Sequence, residues 1–310
     1  MNNKSNIKTI CSFYKFKQIS EIEKIKKEIL SICNTKDIMG TILIAKEGIN
    51  GTISGDNNSI NSIREFLINK ISSDIFFKIS FFKKHPFLRM KVKIKHEIIK
   101  LSMGEIPTSL MTGTFVKPIN WNNFIENDDV ILVDTRNDYE SEIGSFKKSI
   151  TPKTKSFCEF PDWIKKNKES IKNKKIALFC TGGVRCEKAS AFLLKEGYKN
   201  IYQLDGGIIN YLEKVKKKES KWEGECFVFD ERVSVNHSLK KGNYIQCFAC
   251  RSALSEIDIN SKFYSKGISC PKCYKNTTKI QKRKFNERQK QINLANQKGE
   301  KHLGKKYAKK

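Results

Sequence analysis

What the chain lacks narrows its function first. No apolar run approaches the roughly 18 to 20 residues of a membrane-spanning helix; the longest are Thr41–Ala45, Val130–Val133 and Ile176–Cys180. The chain is therefore read as no integral membrane protein. The N-terminus, MNNKSNIKTICSFYKF, has neither a continuous apolar stretch of signal-peptide length nor a small-residue cleavage site. That implies a cytoplasmic location with reduced thiols. Histidine is scarce: His85, His96, His237 and His302 are spread along the chain, and no His-His-carboxylate triad for iron is visible. No GxGxxG follows a strand, so a flavin or nicotinamide lacks its usual cradle. No internal repeat is evident.

Acidic residues are outnumbered, with 33 Asp and Glu against 60 Lys and Arg and a net charge of +27. Lys, Ile and Asn are used heavily throughout, so general bias accounts for part of that excess. The tail from Tyr274 to Lys310 is sharper, with 13 Lys and Arg against Glu287 and Glu300, or +11. A basic tail on a basic protein favours a polyanionic partner over a neutral metabolite, although a tail that only aids solubility has the same composition. At 310 residues, 38% of them hydrophobic and 20 of them Phe, there is material for two or three packed domains.

Residues 1–101 read as strand, helix, two strands, helix, strand, a ferredoxin- or acylphosphatase-like α+β unit. Ile22, Ile25, Ile29 and Ile32 stand at helical spacing, Gly40–Ser54 reads as strand, Gly/Asn turn, strand, and Ser59–Ile71 is again helix-like. In the last strand Met90, Val92 and Ile94 alternate with Arg89, Lys91, Lys93 and Lys95, which places four cations on one sheet face. Such a face can track a phosphate backbone; an ordinary solvated face has the same pattern. Residues 102–120, with Gly104, Pro107, Gly113 and Pro118, read as a linker. Residues 121–220 alternate short β-rich runs, VILVD and IALFC, with helical stretches, as an α/β domain with a parallel sheet requires.

The most informative segment is Cys180-Thr-Gly-Gly-Val-Arg185, between a strand and a helix expected at Cys186–Lys195. A cysteine at the C-terminal edge of a parallel sheet lies where α/β folds place ligands. Gly182 and Gly183 let backbone N–H groups converge, the helix adds its positive end, and Arg185 adds a permanent charge. Together these depress a thiol pKa and stabilise a thiolate or persulfide. Cysteine phosphatases use Cys-x5-Arg; Cys-x4-Arg is one residue shorter and suits sulfur. With Val133-Asp134-Thr135-Arg136 upstream and Leu204-Asp205-Gly206-Gly207-Ile208 downstream, the loop resembles the rhodanese domain, which implies that Asp134 and Arg136 lie near the cleft.

Three further segments narrow the resemblance: VDTRNDYESE, CTGGVRCEKAS and WEGECFVFDERV, together with the Gly48-Ile49-Asn50-Gly51 turn and Phe285-Asn286-Glu287-Arg288-Gln289. These resemble the rhodanese-fold tRNA uridine(34) hydroxylases, which form 5-hydroxyuridine at the wobble position with molecular oxygen. The resemblance implies that Cys180 is the active-site cysteine, able to carry a persulfide, with Arg185 beside it. It also implies tRNA and oxygen as partners, with an unidentified reductant and an unknown redox cofactor. The residues alone support a nucleophilic or redox thiol in an anion-friendly loop. Cys186 is either a resolving thiol or inert packing.

Cys247-x2-Cys250 and Cys270-x2-Cys273, in residues 221–310, have the spacing of a four-thiolate zinc knuckle, structural because no coordination position stays open. Cys11, Cys33, Cys158 and Cys226 are expected as small buried hydrophobes. A basic helix from Thr278 to Gln297, ended by Gly299, carries Lys282, Arg283, Lys284, Arg288 and Lys290 as RNA contacts. The expected protein is a three-part tRNA-modifying enzyme. A persulfide sulfurtransferase acting on thiosulfate, a carrier protein or tRNA is the alternative, and a non-catalytic RNA-binding protein the third. The oligomeric state is not legible.

Overall fold

Strand alternation and helix periodicity build the first layer. In the computed structural model, which describes residues 7–300, β1 (Lys8–Phe16), α1 (Ile22–Thr35), β2 (Met39–Ala45), β3 (Gly48–Gly55), α2 (Asn57–Lys70), β4 (Phe76–Phe82) and β5 (Met90–Ile94) form a five-stranded sheet of order β4-β1-β3-β2-β5. Its register pairs Phe13 with Gly51 and Ile42 with Gly51, and β5 runs parallel to β2. Ile25, Ile29 and Cys33 of α1 and Ile60, Ile63 and Leu67 of α2 stand at helical spacing and bury against Phe13, Ile42, Ile49, Ile53 and Val92. Tyr14 and Phe16 alternate with Phe13 and so point to the opposite sheet face, where Phe16, Ala45 and Ile98 cluster with Val184.

The acylphosphatase-like plan thus holds, with two corrections. The βαββαβ unit is completed by β4, which sequence reading missed because Phe76, Phe77, Phe81 and Phe82 put apolar groups on both faces and erase the alternation. The cationic segment is a fifth strand added at the other edge. Lys91 and Lys93 are exposed within it, and Arg89 and Lys95 are exposed just beyond its ends. The β2–β3 turn is Lys46-Glu47, and the expected Gly48-Ile49-Asn50-Gly51 turn is strand. Glycine is needed there for close approach: a Cβ on Gly48 would sit 2.1 Å from the Lys15 carbonyl oxygen, and one on Gly51 would sit 2.9 Å from the Phe13 ring.

The second sheet is all parallel. It uses β6 (Thr114–Val116), α3 (Pro118–Ile125), β7 (Val130–Asp134), α4 (Asp138–Ser141), β8 (Gly144–Phe146), α5 (Phe160–Lys166), α6 (Lys168–Ile171), β9 (Lys175–Phe179), α7 (Val184–Lys195), β10 (Ile201–Leu204) and α8 (Gly207–Lys214), in strand order β6-β10-β9-β7. A short antiparallel pair joins β8 to β11 (Trp222–Gly224). The stretch expected as a linker therefore contributes β6 to the sheet, a strand of three residues and too short to show a period. Trp121 and Tyr211 are fully buried, and Phe146 packs edge-on against Phe179, Tyr211 and Trp222.

Both sheets belong to one compact unit that runs through the described residues to Phe227 and includes Val235–Lys240; Val228–Ser234 and the described residues from Lys241 onward form a second unit. In the second unit Ile245–Gln246 pairs antiparallel with Ala253–Leu254, and a helix spans Lys279–Gln297. Thr278 caps that helix through a reciprocal bond with Gln281, and Gly299 follows at φ +67°. His302 and the end of the basic tail lie outside the described residues. Among the described residues no helix is long and apolar enough to cross a membrane.

Candidate active site and cysteine centre

Cys180 follows the last residue of β9 and is fully buried. Of the two loop glycines only Gly183 is obligatory: its φ is +104°, and a Cβ there would lie 2.8 Å from the Tyr14 hydroxyl oxygen, whereas Gly182 faces open space. The Gly183 N–H donates to the Cys180 Sγ at 3.1 Å. Gly206 and Gly207, both left-handed, turn the chain into α8 so that the Ile208 N–H reaches the Cys180 carbonyl at 2.9 Å. Burial alone would raise the Cys180 thiol. A hydrogen bond from the Cys186 thiol, the Arg185 charge, and the N–H groups of Cys186 and Gly183 overcome that and bring it down to about 5. At neutral pH the group is a thiolate.

Helix α7 begins at Val184, so Arg185 and Cys186 occupy its first turn. The Arg185 fork binds Glu140 at 2.6 and 2.8 Å, with both partners buried. The arginine thus stabilises the thiolate through its charge, while a carboxylate from α4 fixes its position. Glu140 is itself placed by a capping box that takes the Asn137 N–H at 3.1 Å. Cys186 is driven well above the ordinary thiol range by burial and by donating to Cys180; its Sγ also lies 3.5 Å from the Thr135 hydroxyl. The geometry makes it a proton-bearing neighbour of the thiolate.

Asp134 and Arg136 depart from the expected placing near a cleft. Both are fully buried and bind each other, with Nη2 to Oδ2 at 2.6 Å, while Arg136 also donates to the Glu140 and Gly144 carbonyls. Their opposite charges close on one another behind the loop and tie α4 to β7. The expected burial holds for Cys11, Cys33 and Cys226, whereas Cys158 is partly exposed and points to the Lys100 carbonyl.

Sequence reading missed five groups that meet at the helix following this loop, Lys188, Glu47, Glu97, Tyr14 and Glu187. Lys188 is completely buried and donates to Glu47 at 2.8 and 2.9 Å, to Glu97 at 2.6 Å and to the Ile99 carbonyl at 3.0 Å. The Tyr14 hydroxyl donates to Glu187 Oε2 at 2.8 Å. Burial raises the Glu187 carboxyl despite that bond. The available signal was the pair Glu187-Lys188 inside a helical run of Cys186, Ala189, Ala191 and Phe192, where adjacent charges amid buried residues demand partners. Tyr14 and Glu187 line a cleft of about 550 Å³ with Lys15, Phe76, Phe115 and Asp205, and Cys180 is not among its lining residues.

In the second unit the sulfurs of Cys247, Cys250, Cys270 and Cys273 all lie within 4.8 Å of one another. Cys250 to Cys270 and Cys270 to Cys273 are each 3.7 Å, close to the roughly 3.8 Å between sulfurs that a tetrahedral ion with metal–sulfur bonds of about 2.3 Å requires. The thiol of Cys247 donates to Cys250 and holds it well below the usual range. The four side chains fit one metal ion. Among the helix cations Arg283, Lys284 and Lys290 are exposed. Arg288, expected as an RNA contact, instead donates from Nη2 to the Phe248 and Gly267 carbonyls at 2.9 and 2.8 Å. Lys282 sits 4.1 Å from the Tyr274 ring centroid. These two hold the helix to the cysteine module.

Residues 8–98 match the family model described as the UPF0176 acylphosphatase like domain, and residues 121–214 match that of the rhodanese-like domain. Among solved structures, a rhodanese-like domain from Anabaena sp. is 15% identical, covering 37% of this chain and 80% of that one, with a TM-score of 0.29. A single-domain sulfurtransferase of Saccharomyces cerevisiae is 21% identical, covering 34% of this chain and 92% of that one, also at 0.29. The chain therefore joins a UPF0176 acylphosphatase-like domain to a rhodanese-like domain in one polypeptide, followed by a four-cysteine module.

Proposed function

We propose that the protein is a tRNA-modifying enzyme that hydroxylates C5 of the wobble uridine, with Cys180 as its reactive thiolate. The observation that carries this reading is the Cys180 centre: a buried thiolate in a Cys-x4-Arg loop, fixed through Lys188 to an N-terminal unit with the exposed cations Arg89, Lys91, Lys93 and Lys95. The segments VDTRNDYESE, CTGGVRCEKAS and WEGECFVFDERV support hydroxylation over sulfur transfer through their resemblance to the uridine hydroxylases. Oxygen inserts one atom at the C5–H bond; the other leaves as water after taking two electrons and two protons from an external two-electron reductant. The chain supplies the thiolate, its proton-bearing neighbour Cys186 and an anion-friendly setting. Structural zinc in the four-cysteine module belongs to the same proposal.

A persulfide sulfurtransferase is the second reading, favoured by the same thiolate in a loop sized for sulfur. Mass spectrometry of tRNA nucleosides from cells with and without the gene separates the two. Loss of 5-hydroxyuridine and its derivatives with thiouridines intact is the expected result. Loss of thiouridine with 5-hydroxyuridine unchanged would establish the sulfurtransferase instead, and no change in either would leave a non-catalytic RNA-binding role.

A further inference from the structure

The cleft beside the cysteine loop has features that thiolate chemistry does not use. Its volume of about 550 Å³ lies within the range of small-ligand sites and admits a nucleobase with its ribose. Two of its lining residues present exposed aromatic surface, Phe76 at 51% and Phe115 at 45% exposure. The Lys78 ammonium lies 4.6 Å from the Phe76 ring centroid, a cation already stacked on that ring. Glu187, another lining residue, accepts the Tyr14 hydroxyl through Oε2, and its Oε1 has no hydrogen-bond partner among the described residues. Glu187 is half-buried and its carboxyl is raised by that burial, so a donor from a bound ligand would be favourable at the open oxygen.

We propose that this cleft is a nucleobase site, in which an unstacked uracil lies against Phe76 and Phe115 and gives its N3–H to Glu187 Oε1. The inference rests on the uridine reading above and names the pocket that would select the base. Uracil carries an imide N–H at N3, whereas cytosine carries a lone pair there, which would face the carboxylate acceptor to acceptor. Aromatic faces hold any base, so the discrimination falls to Glu187. Tyr14 is a positioning residue: its hydroxyl fixes the Glu187 carboxylate and abuts Gly183, whose N–H holds the Cys180 sulfur. A base in the cleft is thereby brought beside the thiolate loop.

The test uses the full-length protein and fluorescence anisotropy with RNA hairpins identical except for U, C or G at one loop position flanked by abasic sites. Wild type should prefer U over C by about tenfold or more, the penalty for a mismatched buried hydrogen bond. Glu187→Ala should remove that preference while both hairpins still bind. Tyr14→Phe, which preserves shape, should reduce it. Phe115→Ala should weaken all three by about tenfold without changing their order. Equal binding of U and C by wild type, tightest binding of G, or a preference that survives Glu187→Ala would overturn the proposal. Mass spectrometry of the U hairpin after reaction judges the chemistry separately: an intact U preference with no 5-hydroxyuridine would refute hydroxylation and still support the cleft.

Discussion

The Lys188 ammonium lies between Glu47 and Glu97, 2.8 and 2.6 Å from their carboxylate oxygens, with no solvent exposure of its own. One cation from the helix after the cysteine loop thus joins two acidic groups of the acylphosphatase-like unit. Glu97 in turn accepts the Leu101 N–H, and Glu47 the Ile98 N–H, so the chain leading out of the first sheet is held at the same point. The carboxylates gain little by facing each other unless the lysine stays charged.

Removing that charge should be costly. Lys188→Met fills the same space but leaves two partly buried carboxylates facing each other without a counter-ion, and urea unfolding should show a loss of about 3 to 5 kcal/mol. A loss below about 1 kcal/mol would mean that water replaces the ammonium.

The Cys180 thiolate should be visible in its titration. The difference in 240 nm absorbance between wild type and Cys180→Ser should show a midpoint of about 5. Its folded value lies below the ordinary thiol value near 8.5, so its stabilisation is fully present above that ordinary value and is lost progressively as pH falls toward 5. Cys186→Ala, which removes a donor, should move the midpoint up. A wild-type midpoint near 8.5 would sink the reading of the loop as a thiolate trap.

Activity should follow the same groups. Cys180→Ser should abolish 5-hydroxyuridine formation with the fold intact, since oxygen cannot replace a low-pKa thiolate. Arg185→Lys should reduce it about tenfold or more, because a single ammonium cannot reproduce the two bonds to Glu140. Full activity of Cys180→Ser would mark the loop as a relic.

Metal analysis should find about one zinc per chain, the stoichiometry of a single four-thiolate site. Replacing Cys247, Cys250, Cys270 or Cys273 should loosen the C-terminal module before the rhodanese-like domain is affected, as read by limited proteolysis. A metal-free protein whose four thiols alkylate freely in the native state is the contrary result.

RNA affinity should fall steeply with salt. Changing Arg89, Lys91, Lys93 and Lys95 to Gln should lower the log–log slope by roughly 3 if all four touch phosphate, at about 0.7 to 0.9 per contact. Truncation after Tyr274 should lower it further through Arg283, Lys284 and Lys290. Unchanged slopes in both variants would assign the charge to composition alone.

The local rules of the chain were legible without coordinates. Helical spacing of Ile25 and Ile29, the short apolar runs VILVD and IALFC, the Cys-x4-Arg loop and the two CxxC pairs each write their structure into neighbouring residues, because periods, turns and ligand spacings are short-range. The β4 strand escaped because its apolar residues serve both faces. What only the tertiary structure decided is which charges meet. Arg185 finds Glu140, Lys188 finds Glu47 and Glu97, Tyr14 finds Glu187, and Arg288 turns to backbone carbonyls. These partners lie 40 or more residues apart except Arg288 and Gly267, and a lone Lys or Glu looks the same in sequence whether solvated or buried. Only burial makes pairing obligatory, by removing the water that would otherwise satisfy the charge.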